Sequence, residues 1–292
     1  MNFLPLTLGL LMAGQAITSC DKPKKPVASL PFVSAPASSP WAAGRADEAS
    51  GIADSKSSPG ALWVQEDSGN PTQLLLIKYG GELMKKVFIK GVQNRDWEDM
   101  VLAPGPETGV DYLYLADVGD NNTVHTNYSI YRFPEPAATT DTVFTPQKIS
   151  FSYPDGSHDC EAILVDPGSK DIYLITKRDA ASRVYKLAYP QSTSATMQAT
   201  LVTSLSFTGA VSAAISASGA EILIKTYSNI YYYPRDPGQP IASSLQKAPI
   251  VLGYVQEPQG EALCFKNDNS GFFTLSERSF APSVALNFYK RQ

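Results

Sequence analysis

Cysteine and histidine are scarce in this chain, with three Cys and two His among 292 residues. No Cys-x-x-Cys pair occurs, which removes zinc ribbons and dithiol redox chemistry. Two His are too few for a multi-His metal site. The sequence also lacks a G-x-S-x-G elbow and a phosphate-cradling G-x-x-x-x-G-K loop. Charged residues make up only 18%, too few for a disordered or coiled-coil chain. No Lys/Arg run with interleaved aromatics appears and the net charge is −4, so nucleic acid is excluded as a partner. A sustained helical period is missing as well; "SSLQKAP" is short and ends in Pro.

What is present begins with an apolar N-terminus, "FLPLTLGLLMAGQAITSC", too short and too early for a stop-transfer helix. It reads as an export signal over residues 1–19. Ile17-Thr18-Ser19-Cys20 resembles the bacterial lipobox, which implies lipidation at Cys20. The Pro-rich "DKPKKPVASLP" follows as a tether over 20–30. The expected location is the bacterial cell envelope, periplasmic or surface-exposed, with membrane contact only through the lipid anchor. Cys160 and Cys264 are then expected to be buried free thiols.

Hydrophobic content of 43% and 15 Tyr suit a large β fold. One pattern recurs: "RDWEDMVLAP" from Arg95, "SHDCEAILVDP" from Ser157 and "PQGEALCFKN" from Pro258. Two weaker copies, "EASGIADS" and "GAVSAAIS", fall in the same register. The central residues Ser50, Glu98, Glu161, Ser212 and Glu261 are separated by 48, 63, 51 and 49 residues. Each period holds short strands bounded by Gly, Pro, Asn and Asp. Four antiparallel strands every ~50 residues predict an all-β fold, a β-propeller of five four-stranded blades over residues 31–292. Six blades are possible if the region 134–150 hides extra strands; residues 134–142 otherwise read as a surface loop. The fifth period has only three strands. An N-terminal strand within 27–38 is expected to close the ring beside "VALNFYK".

In this arrangement inner-strand starts and the loops between second and third strands meet on one face. Glu48, Asp96, Glu98, Asp159, Glu161 and Glu261 come from the starts. Glu66, Asp67, Asn70, Asp117, Asp120, Asn121, Lys177, Arg178, Asp179, Lys225, Tyr227, Glu277 and Arg278 come from the loops. Acids two apart share a side of a strand. Like charges about 4 Å apart cost on the order of 1 kcal/mol even in water. A hard cation, basic partners or protonation would relieve that repulsion. Oxygen donors without His suit Ca²⁺ or Mg²⁺ rather than zinc, and the expected ion is Ca²⁺, held by Glu48, Asp67, Asp96, Asp117, Asp120, Asp159 and Glu261. The later loops carry Lys177, Arg178, Lys225 and Arg278, a basic half suited to a small anion or to internal ion pairs.

The stretches "EASGIADSKSSPGALWVQEDSGN", "DWEDMVLAPGP" and "DCEAILVDPGSKDIYLITKR" resemble a group of uncharacterised secreted bacterial propeller proteins, distantly similar to phytase-like and lactonase-like propellers. The resemblance spans about residues 45–190 and implies fold and export. The phytase-like side implies a calcium-loaded acidic mouth with basic residues for phosphate. The lactonase-like side implies a cation held by Glu48, Asn70, Asn121 and Asp179. Two readings stand. One is a monomeric binding or scaffold module on the cell envelope, for a small anionic ligand or an envelope protein. The other is a metal-dependent phosphoesterase or lactonase, with Glu98, Glu161, Asp117 and Asp120 holding metal or activating water and Lys177 and Arg178 taking the anion.

Overall fold

Apolar runs rich in Leu, Ile, Val and Tyr, each bounded by turn formers, become strands along the whole described chain. The computed structural model describes Met1 and residues 30–292. The expected signal segment, Cys20 and most of the tether lie outside the described residues.

In chain order, β1 (Ala37–Trp41) precedes blade 1, which runs outward as β2 (Ala49–Asp54), β3 (Ala61–Glu66), β4 (Gln73–Lys78) and β5 (Leu83–Ile89). Blade 2 comprises β6 (Trp97–Pro104), β7 (Asp111–Asp117) and β8 (Tyr128–Pro134), then, after the two-residue β9 (Thr142–Val143), β10 (Gln147–Ser152). Blade 3 is β11 (Cys160–Val165), β12 (Ile172–Thr176) and β13 (Arg183–Leu187), with β14 (Met197–Gln198) preceding its outer strand β15 (Thr200–Ser204). Blade 4 is β16 (Ser212–Ile215), β17 (Glu221–Lys225) and β18 (Ile230–Pro234), then the short helix α1 (Ile241–Leu245) and β19 (Ile250–Leu252). Blade 5 is β20 (Gln259–Phe265), β21 (Gly271–Glu277) and β22 (Val284–Lys290). The chain is thus an all-β, five-bladed propeller.

The core is divided rather than central. Each blade interface has its own cluster of buried side chains: Trp63 and Trp97 between blades 1 and 2, Tyr128, Phe151 and Tyr185 between 2 and 3, Ile175 and Ile224 between 3 and 4. Leu223 and Phe272 belong to the cluster between blades 4 and 5, Trp41 and Phe273 to the one between 5 and 1. Five blades with five filled interfaces make a closed ring. Inner strands are covered on both faces, so β2 and β11 are buried throughout, whereas outer strands such as β5 alternate between buried and exposed positions.

Closure falls a little later in the chain than the sequence suggested. The antiparallel ladder to β22 runs from Ala37↔Phe288 to Trp41↔Val284, overlapping the expected 27–38 only at Ala37 and Ser38. Pro31 and Pro36 flank the earlier segment and cannot donate to a ladder. Phe32 instead makes a single bridge to Arg291 and packs edge-on against Phe272, ring centroids 5.0 Å apart. Pro40 is tolerated in β1 because that strand is the blade's outer edge. The segment after Pro134 is not wholly loop: β9 pairs parallel with β5, and β14 likewise with β10, covering two edges that would otherwise be open. Neither forms a sixth blade. Cys160 and Cys264 are buried free thiols.

Candidate metal centre

The acids recur where the inner strands bulge. Pairing of each inner strand with its neighbour slips between Ala49 and Gly51, Trp97 and Met100, Cys160 and Ala162, and Gly260 and Ala262. The residues skipped are Ser50, Glu98 with Asp99, Glu161 and Glu261, which are the residues the repeat aligns. In blade 4 Ser212 pairs with Lys225 and no slip occurs. A bulge inserts an unpaired residue and re-aims its side chain. In blades 2, 3 and 5 that residue is a Glu pointed at the channel mouth.

Two carboxylate triads result: Asp67, Asp96 and Glu98, and Glu98, Asp159 and Glu161, each with oxygens within 4.8 Å of one another. Glu98 belongs to both. It is only 5% exposed, and no described hydrogen-bond donor reaches its carboxylate. Gly119 makes room for it, since a Cβ there would stand 2.2 Å from Glu98 Oε1 and 2.5 Å from Asp96 Oδ2.

The other side of the mouth is ion-paired. Lys177 Nζ contacts Glu161 Oε2, lies 3.6 Å from Glu261 Oε1 and donates to the Tyr227 hydroxyl at 3.0 Å. Tyr227 in turn donates to Glu261. Arg178 Nε donates to Asp159 Oδ2 at 2.5 Å and its Nη2 to Asn121. Asp159 Oδ1 accepts the Asp120 N–H at 2.8 Å. Gln259 Nε2 donates to Glu277 Oε2 at 2.5 Å.

These surroundings raise the proton affinity of the acids. Burial, then the charges of Glu161, Asp67, Asp96 and Glu261, push Glu98 well above the usual carboxylate range. Burial raises Glu161 to about 8 even though Lys177 opposes it. Glu277 is pushed up to about 10 by burial and by Glu261 beside it. Asp67 rises to about 6 and Asp96 is raised too, in both cases chiefly by burial. Lys177 is raised, the charges of Glu161 and Glu261 outweighing its burial.

Other sequence candidates have different duties. Asp117 Oδ1 accepts the N–H groups of Arg95 and Asp96, at 3.2 and 2.9 Å, fixing the entry to β6. Asp120 accepts the N–H groups of Val124 and His125 and the Tyr128 hydroxyl, which builds its turn. Glu48 is exposed and accepts from Asn70 at 2.5 Å. Asp179 faces His158 Nδ1 at 3.1 Å, so Glu48, Asn70, Asn121 and Asp179 go to three separate sets of partners. Of the two roles open to the basic half, Lys225 and Arg278 take internal ion pairing. Lys225 is fully buried, 3.4 Å from Glu257 Oε2, and Arg278 pairs with Asp47 at 2.8 Å beside the ring closure. Burial pulls Lys225 down despite Glu257.

Asp99 escaped the sequence reading. Fully buried, it is pushed up to about 7 by burial against four hydrogen bonds. Two adjacent acids in "WEDM" were its signal, because strict alternation should have turned one of them into the blade.

No protein family matches the chain, and no curated protein does either. Several solved structures are similar in shape. A hydrazine synthase chain from Kuenenia stuttgartiensis has TM-score 0.43 and 13% identity over 79% of this chain. This chain spans only 56% of that one. A gluconolactonase from Xanthomonas campestris has TM-score 0.43 and 11% identity, covering 80% of this chain and 69% of its own. An auxiliary nutrient binding protein from Bacteroides thetaiotaomicron has TM-score 0.49 and 10% identity, covering 89% and 73%.

Proposed function

We propose that the acidic mouth is a hard-cation site, of the Ca²⁺ kind, on a propeller that serves as a ligand-binding module. The single observation that carries this reading is Glu98: buried, shared by two triads and without a described donor. A buried carboxylate without a partner is costly, and either a proton or a cation must relieve it. The donor set is carboxylate oxygen alone, which suits Ca²⁺ better than zinc or copper. Asp67 and Asp96, or Asp159 and Glu161, would hold the ion together with Glu98. Arg178, with a side chain 50% exposed, stands at the rim of the second triad and would add a contact for a small anionic ligand. Affinity in the range of extracellular modules, on the order of 10⁻⁴–10⁻³ M, fits the envelope location expected from the N-terminus.

One observation favours a second reading, a cation-dependent hydrolase of a phosphoester or lactone. The acids of one mouth differ in proton affinity, with Asp67 near 6 and Glu161 near 8, a separation suited to general acid and base roles. Calorimetric titration with Ca²⁺ tests the site, and a phosphoesterase and lactonase screen tests the chemistry. Saturable heat in wild type that is lost in Glu98→Gln supports the cation site, and turnover dependent on Ca²⁺ adds the hydrolase. Absence of heat in wild type at millimolar Ca²⁺ and pH 8 removes both.

A further inference from the structure

At the opposite end of the channel from the acids lies an apolar cavity of about 100 Å³. All five blades line it, including Ile52, Leu102, Val165, Ala214 and Leu263. Asp99 does not line it, but two residues on its wall, Met100 and Ala213, give their backbone N–H groups to the Asp99 carboxylate. None of the clustered acids, Asp67, Asp96, Glu98, Asp159 and Glu161, lines this cavity.

We propose that this cavity binds a small monocarboxylate with an aromatic or branched apolar body. Three observations carry the assignment. The first is size, since one water needs roughly 10–15 Å³ in this measure and a dry engineered cavity of about 150 Å³ takes benzene. The second is lining, since aliphatic side chains from every blade face the cavity beside a few polar residues, Asp54, Lys56, Ser216, Lys266 and Asn267. The third is charge. Lys56 and Lys266 both reach the lining, and their side chains are 41% and 27% exposed. The one carboxylate in the lining, Asp54, is already engaged by the Tyr79 hydroxyl at 2.6 Å and the Asn267 N–H at 2.7 Å. Each lysine also pairs with an acid that does not line the cavity, Lys56 with Asp111 at 2.9 Å and Lys266 with Asp268 at 2.7 Å. A ring or branched chain enters the cavity and its carboxylate meets the two ammonium groups.

Fluorine NMR with 4-fluorobenzoate and with fluorobenzene, on the full chain, tests the proposal. Wild type is expected to bind 4-fluorobenzoate saturably and to release it to excess benzoate. Ala214→Phe fills the wall and is expected to abolish binding of both probes while the melting transition is kept. Should that variant fail to fold, Lys56→Met with Lys266→Met decides. Both positions lie on the surface side, and the double substitution is expected to weaken 4-fluorobenzoate about fivefold while leaving fluorobenzene unchanged. No saturable binding of 4-fluorobenzoate in wild type, equal binding in folded Ala214→Phe, or an unchanged affinity after loss of both lysines overturns the assignment.

Discussion

The carboxylate of Asp99 in blade 2 accepts the backbone N–H of Ile163 in blade 3 at 3.0 Å. The same group accepts the N–H of Ala213 and the hydroxyl of Ser212 from blade 4, each at 3.3 Å. Inner strands are sheet edges toward the channel, so these N–H groups have no ladder partner. One side chain thus ties three blades at the axis. Asp99→Ala strands three buried N–H groups, those of Met100, Ile163 and Ala213, and the Ser212 hydroxyl. Stability to denaturant is expected to fall by about 2–4 kcal/mol, with a cooperative transition kept.

The pH dependence of stability follows from the raised acids. Glu161 has an ordinary value of 4.5 and sits near 8 when folded, so the folded chain holds this proton more tightly than the unfolded one. That contribution is complete below about pH 4.5 and is lost as pH rises through about 8. Asp67 adds a loss through about 6 and Glu277 one through about 10. The melting temperature of metal-free protein is expected to decline from pH 5 to pH 9. With Ca²⁺ present the decline should shrink, because the ion binds the deprotonated form. A metal-free melting temperature that rises over this interval contradicts the account.

Lys177 holds the place a cation would take between Glu161 and Glu261 if the proposed site is correct. In Lys177→Met the metal-free protein should melt lower at pH 8, since two buried acids lose their counter-charge. The gain in melting temperature on adding Ca²⁺ should be larger than in wild type. A purely structural lysine would give the first effect without the second.

Gly119 has a spatial reason. Its Cβ in Gly119→Ala would overlap Glu98 Oε1 and Asp96 Oδ2. Calcium affinity is expected to drop about tenfold or more in calorimetry, the scale seen when groups around a metal site are disturbed. Melting of the metal-free protein should change little by comparison.

Lys225 is a staple between blades 4 and 5, donating to the Gly260 carbonyl at 2.5 Å and the Tyr254 hydroxyl at 2.8 Å. Glu257, its counter-charge, also accepts from Thr274 and Asn287. Lys225→Met leaves that buried charge uncompensated and should cost about 3–5 kcal/mol in denaturant unfolding. Adding Glu257→Gln should restore part of the loss.

Much of the architecture was legible because strands and turns are local signals. The "EILIKTY" and "VALNFYK" runs, with Gly and Pro between strands, announce β17 and β22 within a residue or two. The repeat brought Glu98, Glu161 and Glu261 to one mouth, since the period fixes where each inner strand begins. What the sequence leaves unread is long-range. Nothing in "KTYSN" says that Lys225 turns inward to Glu257 rather than outward to the rim. Which backbone N–H groups the Asp117 and Asp120 carboxylates accept is likewise set by the fold and not by any window of the sequence. The bulge that aims Glu98 one way and Asp99 the other depends on pairing with β7, which no window of the sequence contains.

The most direct test is a crystal of the chain grown at pH 8 and soaked in Ca²⁺ or a lanthanide. The account predicts anomalous density bound to a Glu98 oxygen at about 2.3–2.6 Å for Ca²⁺, with further ligands from Asp67 and Asp96 or from Asp159 and Glu161. Density there explained by water alone, with Glu98 in contact with no ion, would contradict it.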